Sequence, residues 1–133
     1  MRLSVIAPLL VLGLTALNAT ARDSNEMVES DRQNPAVSAA VRQAQAGLSD
    51  FLALAAKPPA NTRDFKVQVM AEDSNGIETF WITHFKPLQQ GFIGEVANEP
   101  QIVKSVVWGQ QLRFTREQIT DWGYLKNGRQ VGS

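Results

Sequence analysis

The side chains best equipped for chemistry lie in two short stretches, Asn98-Glu99-Pro100 and Ile119-Thr120-Asp121-Trp122-Gly123-Tyr124. Glu99 and Asp121 are of the type that glycosidases pair as acid and base or nucleophile, which requires the two carboxyl groups to converge in one cleft about 5 to 10 Å apart. Acidic residues in turns more commonly accept backbone amides. Asp121 is placed to do so in an Asx-turn or as a cap, and Asn98 is placed likewise ahead of Pro100. Trp122 and Tyr124 each combine an apolar ring with a polar edge, which serves ligand stacking as well as packing. Asn98, Glu99, Asp121, Trp122 and Tyr124 are therefore the candidate ligand- or partner-binding residues. No residue of the chain is assigned a catalytic role.

Other routes to chemistry find little support. His84 is the one histidine and there is no cysteine. A metal site thus lacks its usual second soft ligand, and no nucleophile-base pair is suggested by spacing. Gly91 and Gly94 are not followed by a helix start with Gly-Lys-Ser or Gly-Lys-Thr, so they make no phosphate loop. Arg113 and Arg116 flank the second stretch and could hold an anion, although solvated strand and turn positions account for them equally well. Trp81 reads as a core residue. No metal and no cofactor is expected.

The elements that position these residues follow from periodicity. Asn34 and Pro35 form a helix start, an amide-capping side chain followed by a proline at the first helical position. Val37, Val41, Ala44, Leu48, Phe51, Leu52 and Ala55 then draw one apolar stripe along a helix that Pro58-Pro59 ends. Two basic residues, Arg42 and Lys57, lie near this helix, too few for a membrane-surface element, so its stripe is expected to pack on its own sheet. From Phe65 the period becomes two. Phe65, Val67, Val69 and Ala71 alternate with polar or less apolar residues, Ser74-Asn75-Gly76 supplies a turn, and a second strand runs from Ile77 to Lys86. Both faces of that second strand carry large apolar groups, which predicts a strand covered on both sides.

Further along, Phe92 to Val96 is a short strand, Ala97 to Gln101 a turn, and Ile102 to Trp108 an apolar, β-branched run that reads as another strand. Gly91 and Gly94 suggest a bend, a bulge or the close approach of another backbone. After Gly109, Leu112 to Phe114 resumes a strand. Thr115 and Gln118 have capping-box spacing, which predicts one helical turn before Trp122. Asn127-Gly128 is a two-residue hairpin signal between Tyr124-Leu125 and Gln130-Val131. The fold class is α+β: one N-terminal amphipathic helix packed on a curled antiparallel sheet of five or six strands.

The first 21 residues read as a signal peptide. Arg2 gives a positive start, Leu3 to Leu17 are apolar, and Ala19-Thr20-Ala21 has the small-x-small pattern of a cleavage site. The apolar stretch is shorter than the roughly 20 residues that span a bilayer, so no stable membrane insertion is expected after cleavage near Ala21. Residues 22–34, with Asp23, Glu26, Glu29 and Asp31, read as a flexible lead, and residues 35–133 as a single domain. From Arg22 onward 12 basic residues face 13 acidic ones without a basic stripe, which argues against nucleic acid. Without cysteine no disulfide supports the fold, and stability must come from burial.

The order and spacing of Phe80-Trp81, Gly91-x-x-Gly94, Asn98-Glu99-Pro100, Gly109, Ile119-x-Asp121-Trp122-x-Tyr124 and Gly128 resemble the YegJ-like bacterial family, the domain of unknown function 2314. The resemblance covers about half of the precursor, residues 80–133. It implies fold and bacterial distribution and supplies no catalytic residues. The family pattern continues past the position of Gly132 with a further glycine and a Tyr-Thr pair, so this chain, which stops at Ser133, is expected to have a shortened last strand.

These readings together predict a periplasmic or secreted protein of the bacterial envelope. It is expected to act as a non-enzymatic binding or accessory module for a protein partner or small ligand. The alternative is a small envelope hydrolase using Glu99 and Asp121 as a carboxylate pair. A third reading is a structural unit of a larger envelope assembly, with an edge strand or the free helix surface as its contact. Nothing in the sequence sets the oligomeric state.

Overall fold

The computed structural model describes residues 34–133; the segments expected to be a signal peptide (1–21) and a flexible lead (22–34, all but its last residue) lie outside the described residues. Helix α1, Pro35–Ala56, begins where the Asn34 side chain accepts a hydrogen bond from the Ala36 amide at 2.9 Å. This cap satisfies an amide that has no partner inside the helix. Ala44, Leu48 and Phe51, on one stripe, are buried. The stripe continues toward the N-terminus through Val41 and Val37, yet there it is only partly covered, and Val37 is 42% exposed.

Six strands follow: β1 Thr62–Asp73, β2 Gly76–Pro87, β3 Phe92–Val96, β4 Gln111–Phe114, β5 Ile119–Lys126 and β6 Arg129–Gly132. They form one open antiparallel sheet in the order β4-β3-β2-β1-β5-β6. The pairing of β1 with β5 is the one that joins strands distant in sequence. Ser74-Asn75 is the turn of the long β1–β2 hairpin. Asn127 and Gly128, both with positive φ (51° and 75°), make the mirror-image turn of the β5–β6 hairpin, in agreement with the Asn-Gly signal. Between β4 and β5 a 3-10 turn, Arg116–Gln118, is held by the reciprocal Thr115 and Gln118 capping box.

The core lies on one face of the sheet, beneath α1 and the segment between β3 and β4. Leu48, Phe51, Val67, Val69, Phe80, Ile82, Val96, Val103, Val106, Phe114, Ile119 and Tyr124 are its buried members. Phe51 stands at the centre of an aromatic cluster, with ring centroids 4.9 Å from Trp122, 5.9 Å from Phe65, 6.1 Å from Phe85 and 6.2 Å from Tyr124.

Two sequence-based expectations are corrected. Among the described residues, strand β2 is central but covered on one side only. Phe80 and Ile82 are buried, while Ile77, Trp81 and Thr83 on the other face are half-buried and Thr79 is exposed. Among the described residues there is a single α-helix, so no second layer covers that face, and Lys66 places its ammonium 4.3 Å from the Trp81 ring centroid there. The strict alternation is also broken at His84. Its φ of 48° accompanies a register shift between Thr83 and Lys86, and beyond this bulge Phe85 packs against the core rather than continuing the Trp81 face. Gly94 belongs to the same device, since a Cβ there would lie 2.8 Å from that of Phe85.

The second correction concerns Ile102 to Trp108, which is a loop. Two carboxylates of the β1–β2 hairpin capture its amides. Glu78 accepts from Gln101 (2.8 Å), Ile102 (2.8 Å) and Val103 (3.1 Å), and Asp73 accepts from Lys104 (2.7 Å) and Ser105 (2.9 Å). Amides given to side chains cannot also serve a strand ladder. The β-branched residues that suggested a strand instead act as plugs, with Val103 and Val106 buried in the core.

Candidate functional site

The geometry around Trp122 starts from small residues. The Trp122 ring stacks on Phe51, and its indole nitrogen donates to the Ala44 carbonyl at 2.9 Å, tying β5 to α1. On the helix side stands Gly47, where a Cβ would meet the ring at 2.9 Å. On the strand side stands Gly132, whose φ of 76° suits glycine and whose Cβ would also lie 2.9 Å from the ring. Gln45 donates from the same helix to the Ile119 carbonyl at 2.6 Å. These contacts anchor the middle of α1 to the start of β5, ahead of Gly123, where the pairing with β6 begins.

N-terminal to this anchor the helix stripe lines a partly open cleft of about 920 Å³. One wall is Val37, Ala40, Val41 and Ala44 of α1; the other includes Met70, Ile77, Ile102 and Trp122. Gln68, Glu78, Thr79, Thr120 and Asp121 add polar groups to this largely apolar lining. The volume falls in the upper part of the range for pockets that enclose small molecules, and an apolar wall with a few convergent polar groups is the usual composition of such sites.

The candidate residues from the sequence fall into different places. Asp121 and Trp122 lie in the cleft wall. Asp121 uses Oδ1 to accept the Trp122 amide at 2.8 Å. Tyr124 is 8% exposed and stacks on Phe65 at 4.9 Å between centroids, within the core. Asn98 is a clamp on β2: its Oδ1 accepts the Trp81 amide at 2.6 Å, while the Ala97 amide donates to the Trp81 carbonyl at 2.8 Å. Glu99 is exposed and lies outside the cleft lining. Trp122 and Tyr124 are thus neighbours, at 6.5 Å between centroids, and Asn98 and Glu99 sit together on the loop bordering β2.

Sequence reasoning did not single out Glu78 and Asp73 as loop anchors or Ile77, Ile102 and Met70 as cleft residues. The one available signal was the apolar stripe of α1, which extends further toward Val37 than the core contacts require. The most exposed aromatic ring is Trp108, at 68%, beside Val107 at 60%. Their turn is fixed by the Gly109 amide donating to the Val96 carbonyl and the Val107 amide donating to Gln110 Oε1. His84, for its part, lies 3.5 Å from Glu95 with its side chain 83% exposed. Among the described residues no group of three metal-binding side chains occurs, and no helix is long and apolar enough to cross a membrane.

Among the described residues, one helix anchored to an open six-stranded antiparallel sheet, with a cleft under the helix's first turns, defines a small α+β domain. The chain belongs to the family described as "Uncharacterized protein conserved in bacteria (DUF2314)", whose pattern matches residues 34–133. It is 30% identical over 109 residues to "Uncharacterized protein YegJ" of Escherichia coli (strain K12), an alignment covering 82% of this chain and 70% of that protein. No solved structure matches. The family resemblance drawn from the motifs of residues 80–133 is confirmed, and it extends back to the helix start.

Proposed function

We propose that the chain is an exported, non-enzymatic binding module of the bacterial envelope, and that the cleft between α1 and the β1–β2 hairpin is its ligand site. The observation that carries this reading is the uncovered half of the α1 stripe. Ala44, Leu48 and Phe51 spend the stripe on the core, whereas Val37, Ala40 and Val41 spend it on a cleft whose far wall is also apolar. Leaving such surface in water forgoes about 25 cal/mol per Å², and a ligand recovers it. Export is supported by the charged start, the apolar stretch and the Ala19-Thr20-Ala21 pattern.

Of the five binding candidates, Asp121 and Trp122 belong to this site directly. Asn98 contributes by holding the loop that bears Ile102, and Tyr124 by supporting the aromatic cluster behind Trp122. No feature of the cleft favours a Glu99–Asp121 hydrolase: Glu99 is not in the lining, and the other lining carboxylate, Glu78, has both oxygens engaged by loop amides.

The test is titration with the neutral apolar dye Nile red. Saturable enhancement of its emission is expected with the native protein and loss of that enhancement with Val41→Glu, verified as folded by circular dichroism. Equal enhancement with both proteins would remove the cleft as the site.

A further inference from the structure

Within the reading of the cleft as a ligand site, the backbone along its floor narrows the ligand class. The ladder between β5 and β6 runs from Lys126 paired with Arg129 to Gly123 paired with Gly132. Among the described residues no strand pairs with the outer edge of β5 at residues 119–122. Alternation along β5 fixes which way its amides point. The Asn127 amide donates to the Asn61 carbonyl at 2.8 Å, on the β1 side. The amides of Lys126, Tyr124 and Trp122 therefore point to the opposite side, toward β6 and, at Trp122, past its last paired residue.

The Trp122 amide is satisfied from close by. Strand register puts the Asp121 side chain beside Gln68, on the sheet face turned away from α1, and its Oδ1 accepts the Trp122 N–H at 2.8 Å. In a continued ladder the carbonyl of a neighbouring strand takes that place. The helix, meanwhile, extends over the same edge. Val37, Ala40 and Val41 line the cleft together with Asp121, Trp122 and Gly132, and the Trp122 indole reaches up to the Ala44 carbonyl. The cleft thus prolongs the line of β6 beneath an apolar roof. In a strand laid there, the residue opposite Trp122 turns its backbone groups to β5 and its side chain to the helix, as Trp122 does.

We infer that the cleft receives an extended peptide, added antiparallel to the outer edge of β5 in line with β6. A peptide carbonyl replaces Asp121 Oδ1 on the Trp122 amide, and every second side chain, apolar and of modest size, lies under Val37 and Val41. Asp121 is then a guard of the edge, which satisfies the amide while the groove is empty. Strand addition of this kind draws affinity from main-chain hydrogen bonds and selectivity from alternate side chains.

The experiment titrates the intact protein with the uncharged peptide acetyl-Ser-Thr-Val-Thr-Val-Thr-Ser-amide and with its counterpart carrying N-methylvaline at both valines, each at dilutions where it stays monomeric. The two share their side chains and differ in the amides that face β5. Isothermal titration is expected to show saturable binding of the first and binding of the second about tenfold weaker. The Trp122 amide resonance is expected to shift with the first. Asp121→Ala removes the competitor for that amide and is expected to tighten the first peptide about threefold, with folding checked by thermal melting. Val41→Glu is expected to weaken it. Equal binding of the two peptides, or binding to Asp121→Ala that is unchanged or weaker, would overturn strand addition. Binding of neither peptide by a protein that still enhances Nile red emission would also overturn it and leave the cleft as an apolar site. Loss of the Nile red response as well would overturn both readings.

Discussion

Trp122 has two kinds of neighbour, and they contribute differently. Its ring stacks on Phe51 while its indole N–H satisfies the Ala44 carbonyl. Trp122→Phe retains an aromatic face and loses the hydrogen bond, so a cost of about 1 kcal/mol is expected. Phe51→Ala empties the centre of the cluster, where the side chain is 1% exposed, and about 3–5 kcal/mol is expected. Urea unfolding followed by far-ultraviolet circular dichroism measures both. Equal losses would mean that the stacking around Phe51 has been misassigned. This part of the molecule was half legible in the sequence. The aromatic residues announced themselves by type, but whether a ring after a turn faces water or helix depends on Gly47 and Gly132, and their role appears only when three elements meet.

Among the elements, the segment between β3 and β4 shows how a loop can be specified by carboxylates rather than by its own sequence. Asp73 holds amides at both ends of its reach: Asn75 at 2.8 Å within its own turn, then Ser105 and Lys104 across the fold. The Asn75 amide first, with those of Ser105 and Lys104, holds its carboxyl well below the usual carboxylate range. A group whose folded pKa is depressed contributes stability that is complete above its unfolded value, near 3.8, and is lost as pH falls below that value toward the folded one. Acid titration of the loop is therefore expected to be invisible at neutral pH and to set in below about pH 4. The amide resonances of Lys104 and Ser105 report it directly. Asp73→Asn is expected to abolish that transition, and an unchanged transition in the variant would exclude Asp73 as its origin.

The same element explains where sequence reading failed. Helix α1, both hairpin turns and the 3-10 turn were legible because their signals are local: Asn34-Pro35, Ser74-Asn75-Gly76, Asn127-Gly128, and Thr115 with Gln118. Ile102 to Trp108 has the composition of a strand, and the carboxylates that turn it into a loop lie 24 to 32 residues earlier in the chain. Nothing near Val103 records their presence. The bulge at His84 escaped for a related reason, since a histidine at positive φ carries no local signal comparable to Asn-Gly.

At the scale of the whole molecule, the matched family region begins at residue 34, next to the first helical residue, while the proposed export signal ends at Ala21. The segment between them contains four acidic residues, Asp23, Glu26, Glu29 and Asp31. Expression with a C-terminal tag, followed by fractionation and N-terminal sequencing, is expected to yield envelope-fraction protein beginning at Arg22. Protein retained in the cytoplasm with its first 21 residues intact would remove the envelope from the proposal.

The two outer strands, β4 and β6, are only four residues long, whereas β2 is 12 residues long and β3 pairs with it only from Ile82 onward. The remaining edge of β2 is occupied at Trp81 by Ala97 and Asn98, and the loop is fastened beyond that by Glu78 and Asp73. A long unpaired edge is a template for strand addition by another chain. The carboxylate clasp thus also guards against aggregation. Acid that releases the loop would expose backbone able to recruit other copies, so self-association at low pH is expected to begin from β2 rather than from either end of the sheet.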